Sequence, residues 1–257
     1  KKNDSSSYHF CCRVVSSIIY YAYCFLVVMI KHIFFDLDRT LWDFEKNSHT
    51  TLLKLISHFN LIDKGVDTPD SFIKKYKIHN AKLWDLYRED KIKKEELRSK
   101  RFLMVLAEYG IDDKDLAEQF GLAYIKQSPL KTGLFPFSHE VLSYLNNKYT
   151  LHIITNGFEE VQHIKLAAAD LKQYFDVVVT SEKVGVKKPN AKIFEFALEQ
   201  ANAKAEQSIM IGDDLVVDVL GAEKVGMQGI YFNPNKMEHK EEVVHEIFCL
   251  SELMTLL

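Results

Sequence analysis

Asp36 and Asp38 stand two residues apart in Phe35-Asp36-Leu37-Asp38-Arg39-Thr40, directly after the apolar run Ile33-Phe34-Phe35. In a regular strand two such carboxylates point the same way, and a turn after the strand lets both edge one pocket. Close carboxylates repel, which raises one pKa or recruits a cation. The pair suits a nucleophile beside a general acid, bridged by Mg²⁺. Read alone, it equally suits a solvated turn in which Asp and Thr cap the chain. Three further stations share this character. Ile153-Ile154-Thr155-Asn156-Gly157 ends an apolar run with a hydroxyl and an amide suited to phosphate oxygens, or with a plain polar turn. Val184-Gly185-Val186-Lys187-Lys188-Pro189-Asn190 sets a Lys before a Pro that can open a helix, or is a surface loop with two solvated lysines. Ile211-Gly212-Asp213-Asp214 followed by Asp218 spaces Asp213 and Asp218 to share one side of a loop-to-helix turn. Such acids can hold a hard cation or simply answer a helix macrodipole.

All four stations follow short β-branched or aromatic runs that read as strands: His32–Phe35, Leu151–Thr155, Val177–Thr180 and Ile209–Ile211, with Gly229–Phe232 as a fifth. Helical patterns separate the later ones. The alternation predicts an α/β fold, a Rossmann-like doubly wound parallel sheet with ligands at the carboxyl ends of its strands. One interval breaks the rhythm. Asn47–Phe59, Phe72–Tyr87, Lys94–Tyr109 and Asp113–Gln127 carry apolar stripes of helical period and no clear strand. The expected organisation is a core of residues 29–45 and 132–257 with an inserted all-helical domain at 46–131.

The chain has 257 residues, a formal net charge of −3, and 47% hydrophobic residues. That apolar share excludes a mainly disordered chain, and the charge gives no broad footprint for nucleic acid. Three of the four cysteines (Cys11, Cys12, Cys24) lie in the first 28 residues, leaving Cys249 alone and excluding internal disulfides in the body. Ile18 to Ile30 is an unbroken apolar run behind Lys1, Lys2 and Arg13, in the manner of a signal peptide or short anchor. It is short for a span and leads within two residues into the first strand. The expectation is that Met29 is the natural start, that residues 1–28 are extraneous, and that the protein is cytoplasmic and touches no membrane unless that extension is native.

Taken in order, Asp36-x-Asp38-x-Thr40, a strand ending in Thr155, Lys188, and Gly212-Asp213-x₄-Asp218 resemble the haloacid dehalogenase-like hydrolases across residues 31–232. The resemblance implies a Rossmann-like catalytic core, the helical insertion at 46–131 as its cap, and Mg²⁺-dependent phosphoryl transfer through an aspartyl-phosphate. It casts Asp36 as nucleophile and metal ligand, and Asp38 as general acid–base with its backbone carbonyl on the metal. Thr155 and the Asn156 amide would hold phosphoryl oxygens, Lys188 would offset charge, and Asp213, with Asp218, would complete the metal site. Asp38 argues for phosphate esters, because dehalogenation needs no leaving-group acid.

Outside these motifs, Phe34 to Phe44, Leu83-Trp84…Tyr87, Glu96-Leu97-Arg98…Arg101-Phe102, Ile153–Phe158 and Ser181-Glu182…Ile193-Phe194 resemble bacterial pyrimidine 5′-nucleotidases. That likeness implies a nucleoside monophosphate as the small-molecule partner. Trp42 and Phe44 are expected to wall the pocket and Trp84 to stack a base, against the plainer reading of aromatic residues as core. The many Lys and Arg of the insertion are expected to form a solvated face. Two other readings stay open: a phosphatase of phosphoglycolate or sugar phosphates, and a non-catalytic phospho-acceptor module.

Overall fold

The computed structural model describes residues 29–257, so the readings of residues 1–28 lie outside the described residues. Six parallel strands run β1 (His32–Phe35), β2 (Thr150–Thr155), β3 (Phe175–Thr180), β4 (Ser208–Gly212), β5 (Gln228–Phe232) and β6 (His245–Ile247), in the order β3-β2-β1-β4-β5-β6. The expected parallel doubly wound sheet is therefore present, with β6 added at its edge. Both faces are covered, which is why the central strands read as continuous apolar runs. Ile33 and Phe35 face one cluster with Ile153, Ile211 and Val141, while Phe34 faces the other with Ile154, Met210 and Phe194.

The first cluster packs under α5 (Ser138–Asn146) and α6 (Glu159–Ala168), the second under α7 (Ala191–Gln200). Between β1 and β2 lie α1 (Phe44–His58), α2 (Pro69–Arg88), α3 (Lys94–Ala107) and α4 (Lys114–Gln127). Their starts follow capping chemistry: Asp43, Thr68 and Asp113 accept from backbone N–H groups three residues on. These helices bury an apolar cluster of their own, built on Leu55, Phe72, Tyr76, Phe102 and Phe120. Among the described residues no helix is long and apolar enough to cross a membrane.

The chain leaves β1 for β2 and β3 on one side of the sheet and returns to β4 on the other. Ligands in such sheets bind at the carboxyl ends beside that reversal. Asp36 follows β1, Asp213 follows β4 and Thr155 ends β2. The topology thus gathers three separate stations at one crevice.

Candidate active site

A cavity of about 320 Å³ opens at this crevice, between the strand ends and the helices of the insertion. Asp36, Asp38, Thr155, Asn156, Lys188, Asp213 and Asp218 line it from below, and Asn80 and Trp84 of α2 line it with Phe44. Every residue proposed for catalysis, phosphate or metal from the sequence therefore meets in one place.

Lys188 is the centre of the charge arrangement. Its ammonium is 1% exposed, donates to Asp36 Oδ1 at 2.6 Å and to the Ile154 carbonyl at 2.7 Å, and lies 2.7 Å from Asp218 Oδ1. The contact with Asp218 is an ion pair without aligned hydrogen-bond geometry, so this buried oxygen keeps unused acceptor capacity. The Asn156 side chain fixes the lysine backbone on both sides, accepting from Lys188 N–H at 2.8 Å and donating to Lys188 C=O at 3.0 Å. Its amide is thus engaged in placing Lys188. Pro189 does not open the helix; Asn190 caps α7, with Oδ1 accepting from Lys192 N–H.

Asp36, Asp213 and Asp218 each bring a carboxylate oxygen within 4.8 Å of the others. Three carboxylates against one ammonium leave excess negative charge in a buried site. Burial raises the Asp36 carboxyl to about 7, opposed by Lys188 and reinforced by Asp218 and Asp38. Burial and the neighbouring acids also push Asp213 and Asp218 upward. Lys188 is raised as well, against its burial: burial alone would lower it, but Asp218 and Asp36 hold it above the ordinary lysine range. A hard divalent cation bound by carboxylate oxygens is the group that relieves such an imbalance. Gly212 keeps the cradle open, since a Cβ there would meet Asp218 Oδ2 at 2.3 Å. Thr40 donates to Asp213 Oδ1 at 3.3 Å and orients it.

The match to the haloacid dehalogenase-like hydrolase family model covers residues 30–226. The chain belongs to the haloacid dehalogenase-like hydrolases. Pyrimidine 5′-nucleotidase PynA of Streptococcus pneumoniae is 30% identical, over 87% of this chain and 93% of its own. Pyrimidine 5′-nucleotidase YjjG of Escherichia coli is 33% identical, over 82% and 89%. A glyceraldehyde 3-phosphate phosphatase of Methanothermobacter thermautotrophicus is 32% identical, over 85% and 92%. A magnesium-bound crystal structure of YfnB from Bacillus subtilis superposes with a TM-score of 0.80 at 26% identity, covering 89% of this chain and 98% of that one.

Within this hydrolase site Asp38 has partners of its own. Lys165 Nζ donates to its two oxygens at 2.5 and 2.7 Å, and Gln162 Nε2 donates at 3.1 Å. Both donors lie on α6, three residues apart and at most 4% exposed. The sequence reading missed them, because a Lys and a Gln on an amphipathic helix look like its solvated face. Gly157 makes room for Gln162, as a Cβ there would fall 1.8 Å from Nε2.

The aromatic residues divide. Phe44 and Trp84 line the cavity, and Trp84 is steadied by stacking on Phe158 with centroids 5.4 Å apart. Trp42 does not line it. The turn after β1 returns Trp42 to the core, where it is fully buried and donates Nε1–H to the Lys131 carbonyl. Its ring instead lies 4.3 Å from the Lys165 ammonium, so it backs the partner of Asp38. Of the two aromatics expected at the wall, only Phe44 is there; the turn that carries Trp42 away includes left-handed backbone at Arg39 (φ 66°). The basic residues of the insertion are not all solvated either. Lys94 bridges to Glu160 and Glu182 of the sheet layer at 2.9 and 2.7 Å, and Arg101 is buried.

Proposed function

We propose that the chain is a Mg²⁺-dependent phosphatase of pyrimidine nucleoside 5′-monophosphates acting through an aspartyl-phosphate on Asp36. In this reading residues 46–131 are the cap over a core of residues 29–45 and 132–257. The observation that carries it is one cavity holding two carboxylates with separate cationic partners, Asp36 against Lys188 and Asp38 against Lys165. Two neighbouring carboxylates, each placed by its own lysine, suit one as nucleophile and the other as general acid–base.

An Asp36 oxygen attacks phosphorus, forming an acyl-phosphate bond as the P–O bond to the nucleoside breaks. Asp38 passes a proton to the departing 5′ oxygen. As carboxylate it then takes a proton from water, whose oxygen attacks phosphorus and returns Asp36 with release of phosphate. The Thr155 hydroxyl, which accepts from Gly157 N–H at 3.1 Å and keeps its own proton to donate, and the Asn156 backbone N–H hold the phosphoryl oxygens. Lys188 offsets the charge of a dianion approaching a carboxylate, since catalysis here is chiefly positioning and electrostatics. Asp36, Asp213 and the Asp38 carbonyl, with Asp218 in support, would hold a Mg²⁺ ion, which would supply further positive charge against those oxygens.

The cation has a readout apart from turnover. Carboxyls raised above their ordinary range in the folded chain stabilise it while protonated, and that stability is lost as pH rises from about 4 through about 7 for Asp36. Metal-free protein is therefore expected to melt lower at pH 8 than at pH 5.5. Added Mg²⁺ should raise the melting temperature at pH 8 by on the order of 5 °C and do much less at pH 5.5. Equal Mg²⁺ shifts at both pH values in calorimetry would contradict the acidic cluster as the site.

Substrate class is tested by a panel of dUMP, dTMP, phosphoglycolate and hexose phosphates with Mg²⁺. The expected result is a kcat/KM for the nucleotides at least about tenfold above the rest, the scale of one well-placed hydrophobic or stacking contact. The resemblance to a glyceraldehyde 3-phosphate phosphatase favours the second reading, a small sugar-phosphate substrate. Turnover confined to the short phosphates would establish it in place of the first.

A further inference from the structure

Among the described residues Arg101 is a buried cation without a carboxylate partner. It is 4% exposed, and its guanidinium lies 4.8 Å from the Tyr124 ring centroid and 5.0 Å from that of Phe102. Its Nη1 donates to Asn80 Oδ1 at 2.9 Å and approaches the Tyr76 hydroxyl at 3.3 Å; Tyr76 in turn donates to Asn80 Oδ1 at 3.3 Å. A guanidinium can only donate. The Asn80 atom facing it must therefore be the carbonyl oxygen, which fixes the orientation of this amide. Its NH₂ group has no hydrogen-bond partner among the described residues, although Asn80 is 3% exposed and lines the cavity. The nitrogen is not sealed from the cavity, so a ligand there can accept from it, and a ligand that cannot would displace its solvent without replacing the hydrogen bonds.

Trp84 stands four residues further along α2, on the same helix face, and lines the same cavity opposite the strand ends that carry Asp36 and Asp38. An aromatic surface and an oriented amide donor, side by side, match a flat ring with a carbonyl at its edge. We propose that Asn80, held by Arg101 and Tyr76, is the specificity-determining residue of this site and donates to a ring carbonyl of the pyrimidine base. This rests on the nucleotidase reading above. Uracil, thymine and cytosine share such a carbonyl, whereas a sugar phosphate or phosphoglycolate offers no planar amide edge.

The test is Asn80→Asp. It keeps the shape, gives Arg101 an ionic partner in place of a neutral one, and so preserves the fold, but presents an acceptor where a donor stood. The ratio of kcat/KM for dUMP to that for ribose 5-phosphate is expected to fall by ~10- to 100-fold, with the loss in KM rather than kcat. Asn80→Ala, which removes the donor without adding an acceptor, should lower the ratio less. A structural role alone would move both substrates together and leave the ratio unchanged. A parent enzyme active on dUMP whose ratio survives both substitutions overturns the Asn80 assignment and leaves the nucleotidase reading standing. A parent inactive on dUMP overturns both.

Discussion

Asp36→Asn is expected to abolish Mg²⁺-dependent phosphate release, by at least roughly 10⁴-fold, without lowering the melting temperature. Asparagine keeps the size and planarity of the carboxylate but has no oxygen able to form a stable acyl-phosphate. What survives is binding and charge stabilisation, which alone give little turnover. The stability half of the expectation follows from the surroundings. Asp36 is a buried acid whose carboxyl is pushed up to about 7, chiefly by burial and then by Asp218 and Asp38 against the pull of Lys188. Removing its charge relieves repulsion within the trio, while Lys188 retains Asp218 and the Ile154 carbonyl. At pH 8 the variant should therefore melt no lower than the parent. Phosphate release gives the first result, and intact-mass analysis of acid-quenched protein should find a phosphoryl adduct in the parent and none in the variant. Turnover within tenfold of the parent would refute Asp36 as nucleophile.

The parts of this site that were legible in the sequence are those that physics forces into local patterns. Strands buried on both faces must be apolar throughout, so β1, β2 and β4 announce themselves, and the polar residues that end them stand out as Asp36, Thr155 and Asp213. Strand β6 was not legible. His245-Glu246-Ile247 lies at the sheet edge, is only partly buried at its first two positions, and pairs with β5 alone. The partners of Asp38 were hidden for a different reason. Lys165 and Gln162 join it across 127 and 124 residues of sequence, and no local period marks a lysine turned inward. Arg101 sits within a run of basic residues that suggested a solvated face, and its three aromatic neighbours come from two further helices as well as its own. Trp42 turns away from the cavity while Phe44 stays at it, after a turn with left-handed backbone at Arg39, whose type gives no hint of that conformation.

Lys188→Met is expected to be the most damaging single change to both activity and stability. In the parent, one ammonium stands between Asp36 and Asp218, at 2.6 and 2.7 Å. A methionine fills a similar volume but leaves those buried acids facing each other without a cation. Breaking a buried pair in this way costs about 3–5 kcal/mol. The loss should be greater at pH 8 than at pH 5.5, where the acids can take up protons. Activity should fall by at least ~10³-fold, the scale of removing a preorganised charge from a transition state. Two further consequences separate an electrostatic role from mere packing. Lys188 opposes the upward shift of Asp36, so without it Asp36 remains protonated to higher pH and the residual rate should climb on the alkaline side of the parent profile. The uncompensated acids should also draw a divalent cation more strongly into the cluster, so Mg²⁺ should raise the melting temperature of the variant more than that of the parent. A filler of space would do neither: its loss would lower the rate equally at every pH and leave the Mg²⁺ shift as it was. Calorimetry with and without Mg²⁺, beside a pH–rate profile, decides between them.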